Sequence, residues 1–556
     1  MIAAPPGADI RSAPATEKRP NTPLATGDLL AHVLAWAVLA AGFTLLVVQY
    51  SLTRGKLIVP AHYDDVTYLR DALSKLDGFY RGGLNGLLGR AIDNPPHSPF
   101  STIVAFAGYA IFGVRDWAPY AANGIIIFAL LGFVDFATLG MRPWQKLAAF
   151  LFVLTVPLAA QSVYEFRSDM AVGLLTAFII VLIFEESLTR SRTRHLVLIG
   201  LVLAITLLAK TSISPITLGL TGSALFAAGI KDRLLLGREA NIAALAKSWA
   251  MILVPALLIP APFYFRNRHE IFFYISVNAL GSNSDIWKLH ASVLTHILYY
   301  AIGAGGNTML GRHALLFGAI LAAGAAFVLS RQRKSEIARA LCYGFMLLVA
   351  YIGPTLNPIK DPYLAVCFDF LLILVSLLIL RDLLSMASPS IARATQAALV
   401  AIVLIGAWYA KWPMYWGERT RADVVLRNRY VNDLYQGIRT HQRAEKTKVM
   451  VAVTGVFANP DTLGYLADKD GLTQLYFESE FTEPDIETFR RRLDTCQFVV
   501  IGDVGNPEDD PNTPYTALLP KTLPLVQSRP DYTLIATCPS LGGANYYLFQ
   551  RRQPTP

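Results

Sequence analysis

Long apolar stretches recur along the first three quarters of this 556-residue chain. Each has roughly 20 residues, the length that an α-helix needs to cross a hydrocarbon layer about 30 Å thick. The composition agrees, because 54% of the residues are hydrophobic and only 16% are charged, whereas soluble proteins have about 25% charged residues. A soluble globular protein is therefore excluded, and the chain is predicted to be a multi-pass membrane protein.

The apolar stretches predict about eleven membrane spans with a cytoplasmic N-terminus. The loops at 142–146, 190–194, 231–247 and 331–339 are rich in Arg and Lys, and all lie on the side of the N-terminus. Loops of this kind stay cytoplasmic, so the other face is predicted to be outside the inner (plasma) membrane. A shorter apolar piece, 101–114, is predicted to lie at the interface. The predicted spans are 29–50, 118–140, 144–162, 169–187, 196–209, 213–230, 248–264, 314–330, 338–356, 363–380 and 395–412.

The chain is predicted to divide into a polar tail (1–28, disordered and cytoplasmic), a transmembrane domain (29–412, with its first outer loop at 51–117) and an extracytoplasmic region (413–556). In the last region, strands are predicted near 448–454, 497–502, 532–536 and 545–550, with a helix over 483–493. The predicted fold class is thus a mostly α transmembrane bundle with interfacial helices in the first outer loop and a small C-terminal α/β accessory domain, for which glycan binding is an alternative role. Cys496 and Cys538 would be able to pair there.

The net charge of +9 agrees with the cytoplasmic excess of Arg and Lys in membrane proteins. No nucleic-acid partner is therefore predicted, and membrane lipids are the expected surroundings.

The first outer loop contains two adjacent acids, Asp64 and Asp65. If the segment 62–71 is helical, Asp64, Tyr68 and Asp71 lie on one face. Acids at the outer membrane surface can serve as a general base and as a metal ligand or orienting partner. An ordinary solvated loop before a helix N-terminus, which favours acids, is the alternative that these residues alone leave open.

Further ionisable residues lie at the ends of predicted spans on the same face, namely Arg167, Asp169, Lys210 and Lys360. A charge at the mouth of a span is typical of a cavity or a site, although Arg167 is also compatible with simple anchoring at the interface. Acids can activate an acceptor hydroxyl, and cations can hold a phosphate leaving group. The pattern therefore indicates a reaction on a lipid-linked anion.

The order of these motifs resembles that of the GT-C membrane glycosyltransferases, especially the lipid A aminoarabinose transferases and the protein O-mannosyltransferases. The resemblance rests on the acidic motif 64–68, on 95–97 followed by the apolar run that ends at 112–114, on 167–169, and on Lys360 before 363–364. It implies transfer of a sugar from a polyprenyl-phosphate donor, with inversion, to an acceptor in cell-envelope biosynthesis. The acceptor (a glycan, a glycolipid or a protein) and the sugar (a hexose or a pentose) stay open.

The resemblance also implies roles for single residues. Asp64 is the expected catalytic base, with Asp65 and Asp169 as further catalytic acids. Where the family has a lysine and an arginine in these motifs, this chain has Asn94 and Thr67, so the donor phosphate is expected to be held by other cations: Arg70, Arg90, Arg167, Lys210 and Lys360. The expected substrate-binding residues are His62, Tyr68, His97 and Tyr363. A divalent metal ion on Asp65 and Asp169 stays an open possibility.

Three other classes of function are alternatives to a glycosyltransferase. A non-enzymatic membrane scaffold would leave the acid pair Asp64 and Asp65 unexplained. A transporter or flippase usually contains inverted repeats and a site near the midplane, whereas this sequence has no visible internal repeat and its charges lie at one interface. An O-antigen ligase or polymerase would also use lipid-linked sugars, but its large catalytic loop is expected late in the chain.

Overall fold

The computed structural model shows a helical membrane domain followed by a small domain built on a β-sheet. It describes residues 26–62, 65–89, 99–276, 288–386, 389–410, 412, 420–442, 446–479, 485–509 and 513–552. The helices of the membrane domain are α1 (Thr26–Arg54), α2 (Asp65–Gly89), α3 (Pro99–Phe112), α4 (Ala118–Ala122), α5 (Gly124–Ala137), α6 (Pro143–Thr155), α7 (Pro157–Tyr164), α8 (Ser168–Glu185), α9 (Thr193–Ala209), α10 (Ser214–Leu236), α11 (Ile242–Leu258), α12 (Ala261–Arg266), α13 (Arg268–Ile275), α14 (Val293–Leu298), α15 (Ala304–Met309), α16 (His313–Arg331), α17 (Lys334–Leu356), α18 (Val366–Met386) and α19 (Pro389–Tyr409).

Within the described residues, seven helical stretches are long and apolar enough to cross a membrane. They are Leu30–Arg54, Ala118–Ala137, Ser168–Glu185, Thr211–Glu239, His313–Arg331, Lys334–Leu356 and Pro362–Ser385. The helices α6 and α7 make an eighth span if they cross together, bent by 62°. The bend comes at Pro157, because proline has no N–H with which to continue the helical hydrogen bonding. The mostly α membrane fold is confirmed, while the number of eleven spans stays a prediction.

The C-terminal domain contains a five-stranded sheet with the strand order β2-β1-β3-β5-β4. Strands β1, β2 and β3 are parallel, and β5 runs antiparallel between β3 and β4. The predicted strands and the helix near 483–493 are confirmed, whereas β2, α20, α21 and α23 were not predicted. The elements are α20 (Arg421–His441), β1 (Thr447–Ala452), α21 (Pro460–Lys469), β2 (Leu475–Ser479), α22 (Ile486–Leu493), β3 (Phe498–Gly502), α23 (Leu519–Ser528), β4 (Tyr532–Pro539) and β5 (Asn545–Arg551).

The sheet separates two hydrophobic cores. One lies under α20 and α21 and includes Val449, Val451 and Cys538. The other lies under α22 and α23 and includes Met450 and Cys496. Both cysteines are buried free thiols, and the expected possibility of a disulfide is corrected because the sheet lies between them.

Candidate active site

A buried ion cluster joins the first outer loop to the loop before α8. Asp65, the first residue of α2, has no exposed surface. Its Oδ2 accepts hydrogen bonds from Lys56 Nζ at 2.8 Å, from the Tyr120 hydroxyl at 2.7 Å and from the Phe166 N–H at 3.2 Å. Lys56 Nζ also donates to Glu165 Oε2 at 2.5 Å. We call Lys56, Asp65, Tyr120 and Glu165 the Lys56 cluster.

Local backbone features bring the cluster together. The chain turns directly after α1, where the Gly55 N–H donates to the Ser51 carbonyl. A Cβ atom at Gly55 would come within 2.5 Å of the Tyr164 ring and 2.8 Å of the Ser51 backbone, so only glycine allows this close approach. The Asn123 side chain, at the junction of α4 and α5, donates to the Ser162 carbonyl at 2.7 Å. These contacts place Lys56 and Tyr120 against the loop that carries Glu165.

The pKa values of the two carboxyl groups in the Lys56 cluster are shifted in opposite directions. Burial alone would lower the pKa of Lys56, but the charges of Asp65 and Glu165 outweigh it and raise that pKa. Burial opposes ionisation of Asp65, yet the Lys56 charge and hydrogen bonds hold the Asp65 pKa below its usual value. For Glu165, burial together with the nearby Asp65 charge outweighs Lys56 and raises the pKa. The Lys56 ammonium therefore pairs with two carboxylates, and Glu165 takes up a proton more readily than Asp65 does.

A second ion pair lies at the N-terminal end of α8. Asp169 is in the first turn of that helix and is only 2% exposed. Lys210, which follows α9, donates to both Asp169 carboxylate oxygens, at 2.8 Å and 2.7 Å. The Asp169 charge raises the pKa of Lys210, although burial acts in the opposite direction. The hydroxyls of Tyr68 and Ser168 are 3.4 Å apart, so Tyr68 of α2 lies beside the start of α8.

Arg167 interacts electrostatically with acids near both the Lys56 cluster and the Asp169–Lys210 pair. Its guanidinium lies 4.1 Å from the centre of the Tyr363 ring, and its Nη1 is 3.3 Å from Asp361 Oδ2. The Arg167 charge contributes to the low pKa of Asp65. Burial raises the pKa of Asp361 against the opposing charge of Arg167, and Asp169 raises it further. The Lys56 cluster, the Asp169–Lys210 pair and Arg167 therefore form one electrostatic site.

The C-terminal domain contacts the first outer loop directly. The Arg70 Nε, on α2, donates to Asp468 Oδ2 at 2.7 Å. The Thr462 hydroxyl, on α21, donates to the Ala61 carbonyl at 2.9 Å. Arg70, expected to bind the donor phosphate, is thus placed between the two domains.

His62 lies in the same contact region. It is buried, its Nδ1 is 2.8 Å from the Pro60 carbonyl, and its ring lies 4.6 Å from the Phe457 ring. Burial and the positive charge of Lys56 lower the His62 pKa to about 3. The imidazole is therefore neutral at physiological pH.

Lys360 is directed at the C-terminal end of α17. Its Nζ lies 2.8 Å from the Pro354 carbonyl, 2.8 Å from that of Thr355 and 2.6 Å from that of Asn357. An ammonium has three N–H donors, so these carbonyls engage all of them. Binding of a phosphate by Lys360, which stays a prediction, would require exchange of these contacts.

Comparisons with known proteins give a fold but no family assignment. No protein-family model matches the sequence, and no curated protein matches it. The structure of ArnT from Cupriavidus metallidurans bound to undecaprenyl phosphate is similar over 94% of this chain and 99% of that chain, with 15% identity and a TM-score of 0.53. Arabinofuranosyltransferase AftD from Mycobacteria is similar over 94% of this chain and 40% of that chain, with 15% identity and a TM-score of 0.52. The chain has the GT-C fold.

A third solved structure, the Archaeoglobus fulgidus oligosaccharyltransferase in complex with Zn and sulfate, has 11% identity and a TM-score of 0.49. It aligns with 84% of this chain and 67% of that chain. The resemblance to GT-C proteins holds at the level of the fold through the two structures with TM-scores above 0.5.

The residues that the structure describes do not fit a metal ion held by Asp65 and Asp169. Each of these acids is paired with a lysine, Lys56 or Lys210. Among the described side chains, no group of three or more His, Cys, Asp and Glu is placed to hold a metal. We therefore derive no step through a metal.

Three predicted site residues, Asp64, Arg90 and His97, lie outside the described residues. Two members of the site, Lys56 and Glu165, were not predicted from the sequence. The position of Lys56 could have identified it as a candidate, because it follows the first predicted span on the face where the loops contain few cations. Glu165 belongs to the same short loop as Arg167, but nothing in its spacing identifies its partner.

Proposed function

We propose that this chain is a membrane glycosyltransferase that moves a sugar from a polyprenyl-phosphate donor to an extracytoplasmic hydroxyl acceptor. The observation that carries the proposal is the meeting of acids and cations at one site, in the Lys56 cluster, the Asp169–Lys210 pair and Arg167. The fold shared with ArnT, which was solved with undecaprenyl phosphate, supports a polyprenyl-phosphate donor. Both hexoses and pentoses are compatible with the proposal.

In the proposed reaction, a carboxylate of the first outer loop takes the proton of the acceptor hydroxyl. The acceptor oxygen attacks the anomeric carbon opposite the phosphate, the bond between that carbon and the phosphate oxygen breaks, and the polyprenyl phosphate leaves with the bonding electrons. The anomeric configuration is therefore inverted. Asp64 is the proposed base, and Asp65 is a positioning residue, because its hydrogen bonds to Lys56, Tyr120 and Phe166 fix the start of α2.

The donor phosphate is proposed to bind between Arg167 and Lys210. Both cations are largely buried, with side-chain exposures of 10% and 24%, so water screens their charges weakly. Two hydrogen bonds of Lys210 go to Asp169, and its third N–H can reach a phosphate oxygen. Fixed cations of this kind stabilise the negative charge that develops on the leaving phosphate.

The test is a transfer assay on purified protein in nanodiscs. Undecaprenyl phosphates that carry a hexose or a pentose are supplied with a cell-envelope glycolipid extract, and release of undecaprenyl phosphate is measured. The Asp64→Asn variant is expected to be at least about 100-fold slower, because general-base catalysis typically contributes 10²–10⁴-fold. The matched control is Asp77→Asn, which removes an exposed acid of α2 that pairs with Arg81 at 2.8 Å and is expected to keep the parent rate.

The same assay separates the proposal from transport. A flippase would move the donor across the bilayer without cleaving it, so intact donor in the presence of a suitable acceptor would contradict the proposed function. A rate for Asp64→Asn within about tenfold of the parent would contradict the assignment of the base.

A further inference from the structure

The C-terminal domain has an open polar cleft on the sheet face that α21 does not cover. Side chains alternate between the faces of a strand, and Met450 of β1 belongs to the core beneath α22 and α23. Lys448, two residues earlier, therefore points to the same side. On β2, the corresponding residues are Tyr476 and Glu478, which pair in register with Lys448 and Met450.

This face of β2 is left open by α22. Tyr476 is 61% exposed, although tyrosine rings usually lie against other apolar groups. Between β2 and α22, the structure leaves a cleft of about 600 Å³ whose walls include Lys448, Tyr476, Glu478, Arg491 and Arg492. The volume lies in the range that small-molecule sites occupy.

Among the described residues, the cleft carries an excess of positive charge. Its described charged walls have three cations, Lys448, Arg491 and Arg492, against one acid, Glu478. Lys448 Nζ pairs with Glu478 Oε1 at 2.7 Å. The only acid among the described walls is therefore already paired with a cation.

We propose that this cleft binds an acidic saccharide, as a docking site for the acceptor glycan. The exposed Tyr476 ring offers a flat apolar face to a sugar ring, and Arg491 pairs with a carboxylate or phosphate of the saccharide. Arg491 is exposed, and its Nη2 donates to the Thr488 hydroxyl at 2.8 Å, which holds the guanidinium at the cleft. The role as an acceptor site rests on the proposed function, whereas binding itself does not.

The site lies apart from the candidate active site. The contacts with the first outer loop come from α20 and α21, which cover the opposite face of the sheet. The cleft therefore engages a glycan at a distance from the reacting hydroxyl, and it is expected to change the KM for the acceptor rather than kcat.

Binding is tested on the full-length protein in nanodiscs without donor, by titration of fluorescently labelled tetragalacturonate. Unlabelled maltotetraose and inorganic phosphate compete in separate arms, so that the sugar and the charge are tested individually. We expect tetragalacturonate to bind, with both competitors at least about tenfold weaker than unlabelled tetragalacturonate, because each lacks one set of contacts. If phosphate competed as well as unlabelled tetragalacturonate at equal concentration, the proposal that the ligand is a saccharide would be wrong. If maltotetraose competed equally well, the proposal that the saccharide must be acidic would be wrong.

Variants locate the site. Arg491→Gln and Tyr476→Ala are each expected to weaken binding about tenfold, whereas Tyr476→Phe retains the ring and should stay within about twofold of the parent. The matched control is Arg490→Gln, on the same helix, whose guanidinium pairs with Glu487 at 2.6 Å. Equal affinities of Arg491→Gln and Arg490→Gln, or no binding to the parent, would overturn the proposal. Binding without any sugar transfer would contradict the proposed function and leave the cleft assignment intact.

Discussion

Replacement of Lys56 by methionine tests the central arrangement of the site. The Lys56 side chain is 7% exposed and gives hydrogen bonds to Asp65 at 2.8 Å and to Glu165 at 2.5 Å. Methionine fills a similar volume without the charge, so two buried carboxylates lose the cation between them. Removal of one partner from a buried ion pair typically costs about 3–5 kcal/mol of the free energy of unfolding. We expect a loss of that size at neutral pH.

The loss should depend on pH in a defined direction. In the parent, the low pKa of Asp65 contributes stability above the pKa of the unfolded chain, which disappears as the pH falls through the lower folded value. In Lys56→Met, burial and mutual repulsion raise the carboxyl pKa values, so the folded state binds protons that the unfolded chain releases. The variant is therefore least stable relative to the parent near pH 7–8, and the difference shrinks towards about pH 5.

Thermal unfolding in nanodiscs, followed by tryptophan fluorescence between pH 5 and pH 8, measures this difference. The double variant Lys56→Met/Glu165→Gln removes one of the two charges and is expected to recover much of the lost stability. Lys334→Met, which removes an exposed lysine at the start of α17, is the matched control. A Lys56→Met loss that is the same at all pH values, or a double variant that is less stable than the single one, would refute the arrangement.

Three further changes probe the surroundings of the cluster. Asp169→Asn is expected to lower the free energy of unfolding by about 1–3 kcal/mol, because the buried Lys210 ammonium loses its charged partner; thermal unfolding and the transfer assay measure the effect. Arg70→Glu should loosen the domain contact and increase proteolysis of the C-terminal domain, and the added change Asp468→Arg should restore protection by about 0.5–1 kcal/mol, as expected for partly exposed pairs. Lys360→Met should lower the melting temperature through the loss of three carbonyl contacts, while a large rise in the KM for the donor would instead indicate that Lys360 binds phosphate.

Each of the seven described helical stretches that is long and apolar enough to cross a membrane coincides with a predicted span, because hydrophobic length is a local property. The predicted spans 29–50 and 169–187 correspond to Leu30–Arg54 and Ser168–Glu185. The predicted span 144–162 differs, since the apolar pattern continues through Pro157 while the helix bends there. The edge strand β2 was missed because its five residues include the exposed Tyr476 and the charged Glu478, and so lack a continuous apolar run.

The site is predictable as a region but not as a set of partners. The positive-inside rule places Asp65, Asp169 and Lys210 on one face, and the structure brings them into one electrostatic site. Which acid pairs with which cation depends on how the helices rotate and pack. A short sequence motif does not contain that information. Lys56 meets Glu165 across 109 residues, so the shared ammonium becomes visible only when α1, α2 and α8 are packed together.

The C-terminal domain was predicted to be an accessory unit, and its contacts argue for a closer relation to the site. The Asn428 side chain donates to the Ile58 carbonyl at 2.8 Å, and the Thr462 hydroxyl donates to the Ala61 carbonyl at 2.9 Å. Both carbonyls belong to the segment between Lys56 and Asp65, so α20 and α21 hold the backbone that joins the two members of the central ion pair. A hydrogen bond weakens as its geometry departs from the optimum. Movement of this domain would therefore weaken the hydrogen bond between Lys56 and Asp65. Through these contacts, α20 and α21 help to fix the position of the first outer loop beside the Lys56 cluster.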